Sequence, residues 1–228
     1  MGLMRPGLRL DGLMPHGDIP AALWPDKDTR PYDTPLADTV GPVRAAMSLR
    51  RTHGAFARIV ASPYRRCVQS ATLVAAVLGI DAITLDNRLG EFMPNALRSW
   101  RPLMAGGAAP PPITLMTRAE AEFLTIPLAL TWDRDAHPLV SYGVDDIGGR
   151  VAAAVAEHAV GEGSALLVTH GDVVNRYLPA LFEGPDADDV GRYAVDECGW
   201  AIVRGPFGPR VADPGDIVAM AGVTDLFL

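Results

Sequence analysis

Short apolar runs separated by longer stretches of helical period predict an α/β fold: a three-layer α/β/α arrangement around a mostly parallel, doubly wound sheet. Met1 to Met4, Ile59-Val60-Ala61, Ile83-Thr84-Leu85, Ala165 to Thr169 and Ala201-Ile202-Val203 are the expected core strands. Helical patterns fill the intervals between them. A chain of 228 residues with 49% hydrophobic and 21% charged residues suits a single domain over 1–228 with one sizeable core. No internal repeat of about 20 to 50 residues is present.

The elements follow in order. Asp38 to Arg51 carries Val40, Val43, Ala46, Met47 and Arg50 at three-to-four spacing, which predicts a helix with an apolar stripe and an arginine-bearing outer face. Arg66 to Leu78 is the second helix, opening just after Pro63. Asp145 to His158 is a third, with Asp145 and Asp146 where negative charge suits the helix dipole. Asp172 to Phe182 is a fourth and follows His170 directly. Residues 92–140 differ in kind: Ala105 to Pro112 is rich in Gly, Ala and Pro, and further prolines interrupt the rest. This stretch is expected to be an irregular insertion or lid over the sheet's C-terminal edge, with a short helix around Arg118 to Leu124.

Charge and cysteine content narrow the function classes. A formal net charge of −7 disfavours a nucleic-acid surface, which normally needs a basic face. Cys67 and Cys198 stand far apart with no CxxC pair, against a disulfide framework or a thiolate metal site. No His/carboxylate spacing suggests a metal. No run approaches the roughly 18 apolar residues of a membrane span, and Arg5 and Arg9 interrupt any signal-like core. An intracellular, cytoplasmic protein is the expectation, and an organelle signal removed ahead of Met1 stays open.

In a doubly wound sheet, ligands sit at the C-terminal ends of the strands. Arg5 ends the first strand, Ser62-Pro63 the second and His170 the Ala165 strand, so topology alone brings them to one rim. Arg5 and Arg66 could grip a phosphate bidentately, and backbone N–H groups opening the helix after Gly171 could add anion donors.

Three segments sharpen this. Ser62-Pro63-Tyr64-Arg65-Arg66-Cys67-Val68-Gln69-Ser70-Ala71, Leu89-Gly90-Glu91 and Leu166-Leu167-Val168-Thr169-His170-Gly171 resemble, in order and approximate spacing, the active-site motifs of the histidine phosphatase (phosphoglycerate mutase-like) superfamily. Arg5-Pro6-Gly7-Leu8-Arg9-Leu10-Asp11, Trp24 and Arg30-Pro31-Tyr32-Asp33-Thr34-Pro35-Leu36 are similar to a eukaryotic branch opening Arg-His-Gly-x-Arg-x-Asp. The resemblance runs from Met1 to about Val203 with the insertion unaligned. It implies that Arg5, Arg66 and His170 bind phosphate, that Glu91 is the proton donor, and that phosphoryl transfer runs through a phosphohistidine. The nucleophile position is Pro6, whose ring offers no lone pair for a covalent intermediate.

The resemblance therefore implies a catalytically impaired, phosphate-binding protein with no cofactor and no metal, acting as a binding, regulatory or structural subunit. Its partners would be a phosphorylated small molecule, a phosphoprotein or a larger protein assembly, with no nucleic acid and no membrane. An alternative is an active phosphomonoesterase using another histidine or a non-covalent route; Pro15-His16-Gly17 is a fainter echo of the missing motif. A third reading is a structural protein with a vestigial pocket. His53, His137 and His158 are expected at the surface.

Overall fold

The computed structural model describes residues 1–91, 115–133, 135, 147–183, 193–204 and 217–225. Its strands are β1 (Gly2–Met4), β2 (Arg58–Ala61), β3 (Ala82–Leu85), β4 (Ala129–Trp132), β5 (Ala165–Val168), β6 (Tyr193–Val203) and β7 (Ile217–Asp225). They form a seven-stranded sheet in the order β4-β3-β2-β5-β1-β6-β7. Pairing is parallel from β4 across to β1, and β6 and β7 then run antiparallel. The helices are α1 (Val40–Thr52), α2 (Arg65–Leu78), α3 (Arg118–Thr125), α4 (Ile147–His158) and α5 (Gly171–Glu183).

Strand alternation divides the core into two layers. Met4, Ile59, Ala61, Leu166, Val168, Trp200 and Ile202 pack with α1, α2 and α3. Their neighbours Leu3, Val60, Leu167, Ala201 and Val203 point the other way, onto α4 and α5. Successive side chains on a strand take opposite faces, so the brief apolar runs feed both layers at once. Leu3, Leu166, Leu167 and Val168 are completely buried, each contributing roughly 1.5–3 kcal/mol on burial. The strand ends that carry Arg5 and His170 thus rise from the least yielding part of the molecule.

Two expectations are corrected. The buried stripe of α1 is Pro42, Ala45, Ala46 and Leu49, not Val40 and Met47, which are 51% and 53% exposed. Both sets obey helical spacing; the small alanines allow the closer approach to the sheet. Within 92–140, Ala129–Trp132 is a strand in parallel register with β3, so the end of the proposed irregular insertion belongs to the sheet. Helix α3 stands where a short helix was expected and opens on a capping box between Thr117 and Glu120. Residues 92–114 and 136–146, on which the lid expectation chiefly rests, lie outside the described residues. Strand β7 was not anticipated; it extends the sheet beyond β6.

Candidate functional site

Backbone hydrogen bonds stitch the central strand ends together. Thr169 N–H donates to the Met4 carbonyl at 2.9 Å, Ser62 N–H to the Val168 carbonyl at 2.9 Å and Arg5 N–H to the Gly199 carbonyl at 2.9 Å. Above them lies a cavity of about 220 Å³ lined by Arg5, Pro6, Arg9, Arg66, Glu91 and His170, with the first turn of α5 (Gly171, Asp172, Asn175) completing it. Arg5, Arg66, Glu91 and His170, chosen from sequence, therefore meet at one place, and the buried Pro6 is in the wall beside them.

Arg66 is the most buried of the three cavity-lining arginines. Its Nη2 donates to Glu91 Oε2 at 2.7 Å and to His170 Nδ1 at 2.8 Å, and its Nη1 donates to the Tyr32 carbonyl at 3.2 Å. The guanidinium also stands 5.1 Å from the centre of the Tyr64 ring, a cation–π distance. Burial opposes the Arg66 charge, but Glu91, Cys67, Tyr64 and Asp33 together outweigh it and raise its pKa. Arg66 is therefore a fixed cation with a fixed direction.

His170 has both ring nitrogens engaged. A guanidinium can only donate, so Nδ1 accepts from Arg66, and the neutral ring carries its proton on Nε2, 2.8 Å from Ser62 Oγ. Tyr64 packs edge-on against the ring at 4.8 Å. Burial, then the positive field of Arg66, Arg150, Arg9 and Arg5, holds His170 well below the ordinary imidazole value. Cys67 Sγ lies 3.6 Å from Nε2, but burial pushes its thiol up to about 12, so it is a packing residue rather than a thiolate.

The Arg30 to Leu36 segment supports this wall from behind. Tyr32 gives its carbonyl to Arg66, and the Leu36 N–H donates to Gln69 Oε1 at 2.8 Å. Asp33 Oδ1 accepts from the Arg65 N–H at 2.6 Å, satisfying one of the donors that the start of α2 leaves without a helical partner. Its other oxygen, Oδ2, is buried without a hydrogen bond. Burial, only partly offset by Arg65 and Arg66, pushes Asp33 up to about 6.

Helix α4 fixes the loop that carries Glu91. Arg150 Nη1 donates to the carbonyls of Arg88 and Gly90, the latter at 2.8 Å. His158 Nε2 stands 2.8 Å from Asp86 Oδ2, and Arg88 bridges Asp86 and Glu157. Neither Arg150 nor His158 was picked out from sequence as a support, because their pattern read only as a helix.

The opposite wall is more open. Arg5 Nη1 donates to the Val195 carbonyl and Nη2 to Glu197 Oε1, the latter at 2.7 Å. Its side chain lies across Gly171, where a Cβ would stand 3.0 Å from Arg5 Cδ and Nε. Arg9, undecided from sequence, does both things: it lines the cavity and pairs with Asp11, with Glu91 3.6 Å from its Nη1.

His16 is elsewhere. It packs edge-on against Trp24 at 5.2 Å, its Nε2 lies 3.2 Å from the Lys27 carbonyl, and it is not among the cavity-lining residues. His53 meets Ser164 Oγ at 2.9 Å, and His158 is a buttress of the Glu91 loop rather than a surface residue; His137 lies outside the described residues. Among the described residues no cluster of His, Cys, Asp or Glu is placed to hold a metal ion, and no helix is long and apolar enough to cross a membrane.

No family model and no curated protein matches the sequence. Solved structures do match. The ecdysone phosphate phosphatase of Bombix mori, in complex with tungstate, superposes with a TM-score of 0.67 at 20% identity, covering 96% of this chain and 91% of that one. The mycobacterial glucosyl-3-phosphoglycerate phosphatase complexed with VO3 gives a TM-score of 0.55 at 19% identity, over 88% and 90% of the two chains. The fold is thus phosphoglycerate mutase-like, as the motifs implied.

Proposed function

We propose that this chain is a catalytically impaired histidine-phosphatase-like protein whose cavity holds phosphate or a phosphomonoester without forming a phosphohistidine. One observation carries the reading: Pro6 lines the same cavity as Arg5, Arg66, Glu91 and His170, at the position where the family's motif has its nucleophile. The rest of the set is an oxyanion site. Arg66 and Arg5 present donors from two sides, Arg9 adds a third cation, and the first turn of α5 contributes the positive end of a helix. The similar phosphatase structures hold tungstate and VO3, oxyanions that imitate phosphate, which supports an anion as the occupant here.

A replacement nucleophile lacks support. His16 does not line the cavity, and both nitrogens of His170 already have partners. Glu91 can still move a proton, but proton transfer alone does not replace the covalent step. The protein then acts by binding a phosphorylated small molecule or phosphoprotein, as a regulatory or structural subunit.

The test compares wild type with Pro6→His for hydrolysis of a generic phosphomonoester, each with and without Arg66→Ala. Wild type is expected at background, and Pro6→His is expected to gain Arg66-dependent turnover, since removal of a nucleophile typically costs several orders of magnitude in rate. Arg66-dependent turnover by wild type would overturn the reading.

A further inference from the structure

We propose that Glu197 is the exchangeable counter-ion of the cavity, so that an entering oxyanion takes Arg5 by displacing the Glu197 carboxylate. The inference rests on the oxyanion reading of the cavity and adds what sets its affinity. Each guanidinium lining the cavity already faces a carboxylate: Arg5 faces Glu197, Arg9 faces Asp11, and Arg66 faces Glu91. An anion that takes the charge of one of these guanidiniums competes with the carboxylate already facing it. Glu91 and Asp11 are 11% and 19% exposed, whereas Glu197 is 44% exposed. A carboxylate that can turn into water recovers its hydration at once, and one enclosed by protein does not. Glu197 is therefore the partner that leaves at the lowest cost.

The backbone beneath Glu197 is built to stay still while its side chain moves. The pairing of β6 with β7 shifts register between Val195 and Trp200, and the residues between form a bulge. Within it Cys198 holds φ at 62°, a left-handed conformation costing roughly 1–2 kcal/mol outside glycine. At Gly199 a Cβ would stand 2.4 Å from the Gly222 carbonyl oxygen, so only glycine fits there. Such strain persists where the surroundings over-determine it. Here the bulge is pinned to the end of β1, with Cys198 N–H donating to the Pro6 carbonyl at 3.1 Å and Gly199 accepting from Arg5. Arg5 keeps its Nη1 bond to the Val195 carbonyl when Glu197 departs. The guanidinium stays in place and recovers its net charge. Bulges that re-aim a side chain beside a site are a recurrent device.

The test is calorimetric titration of the full chain with inorganic phosphate and, separately, with tungstate, using wild type, Glu197→Gln, Glu197→Asp, Arg5→Ala and the Arg5→Ala/Glu197→Gln pair. Glu197→Gln is expected to bind about two- to fivefold tighter, the range that loss of an exposed ion pair allows. Glu197→Asp, one methylene shorter, is expected to move the same way by less. The gain is expected to vanish in the Arg5→Ala background. A purely structural Glu197 would give weaker binding on substitution, so the sign separates the two roles. Unchanged or weaker binding by folded Glu197→Gln, or a gain that survives Arg5→Ala, overturns the proposal. Should wild type bind neither anion while Glu197→Gln binds both, the native-binding reading of the previous subsection falls and this one stands. Should neither bind, both fall.

Discussion

Arg66 and Arg5 face the same cavity, yet the Arg66 side chain is 2% exposed and the Arg5 side chain 29%. Arg66 is held by Glu91, His170 and the Tyr32 carbonyl, with Asp33 securing the start of the helix that presents it. Arg5 is held by a strand bulge and one half-exposed carboxylate. The difference separates two jobs that the proposed oxyanion site would combine. The Arg66 wall supplies fixed geometry and suffers when any member is lost; the Arg5 wall supplies adjustable charge and can lose a partner with little structural consequence.

The largest break should come from Arg66→Ala. Removing one member of a buried pair leaves Glu91 and His170 facing a void, which typically costs about 3–5 kcal/mol. Chemical denaturation should register that loss, together with loss of phosphate binding in calorimetry. A variant as stable as wild type would show that the wall is not the rigid one.

Asp33 gives the next effect, through pH. Its folded pKa is raised from 3.8 to about 6, so the folded state holds a proton that the unfolded state has released. Stability contributed by this group is present below pH about 4, is lost as pH rises toward 6, and changes no further above that. A shift of that size corresponds to about 2–3 kcal/mol. Asp33→Asn keeps the acceptor for the Arg65 N–H and removes the titration. Denaturation at pH 4 and pH 8 should therefore find the variant close to wild type at the lower pH and more stable at the higher. Parallel pH profiles for the two proteins would argue that Asp33 is not the buried, one-bonded carboxyl seen here.

Arg5→Ala should be the mildest for stability. Its ion pair is partly exposed, and such pairs contribute roughly 0–1 kcal/mol. Melting curves should shift little while anion affinity falls. A loss as large as that of Arg66→Ala would erase the contrast between the walls.

The parallel core was legible because strands buried on two faces read as short apolar runs; Arg5 and His170 were legible because strand ends gather by topology, and Arg66 and Glu91 through the motifs they sit in. The edges were not. Ala129-Leu130-Thr131-Trp132 is brief and follows a proline-rich stretch, and the apolar run Ile217-Val218-Ala219-Met220-Ala221 of β7 turns Val218 and Met220 to solvent at 51% and 41% exposure, an edge position that its composition does not announce. Within the site, Ser62 sat inside a recognised motif but its bond to His170 needed three dimensions. Arg150 and Glu197 reach the cavity's surroundings from a helix and a bulge far away in sequence, and spacing carries no record of such contacts.

The backbone bond made at position 6 runs from the Cys198 N–H to the Pro6 carbonyl, a group that proline keeps. Thermal melts, expression yield and proteolytic resistance all measure the cohesion of the fold, and this bond contributes the same to them with a proline or a histidine at position 6. That bond therefore carries no information on whether a phosphohistidine can form, and only an assay that follows phosphorus itself can read position 6.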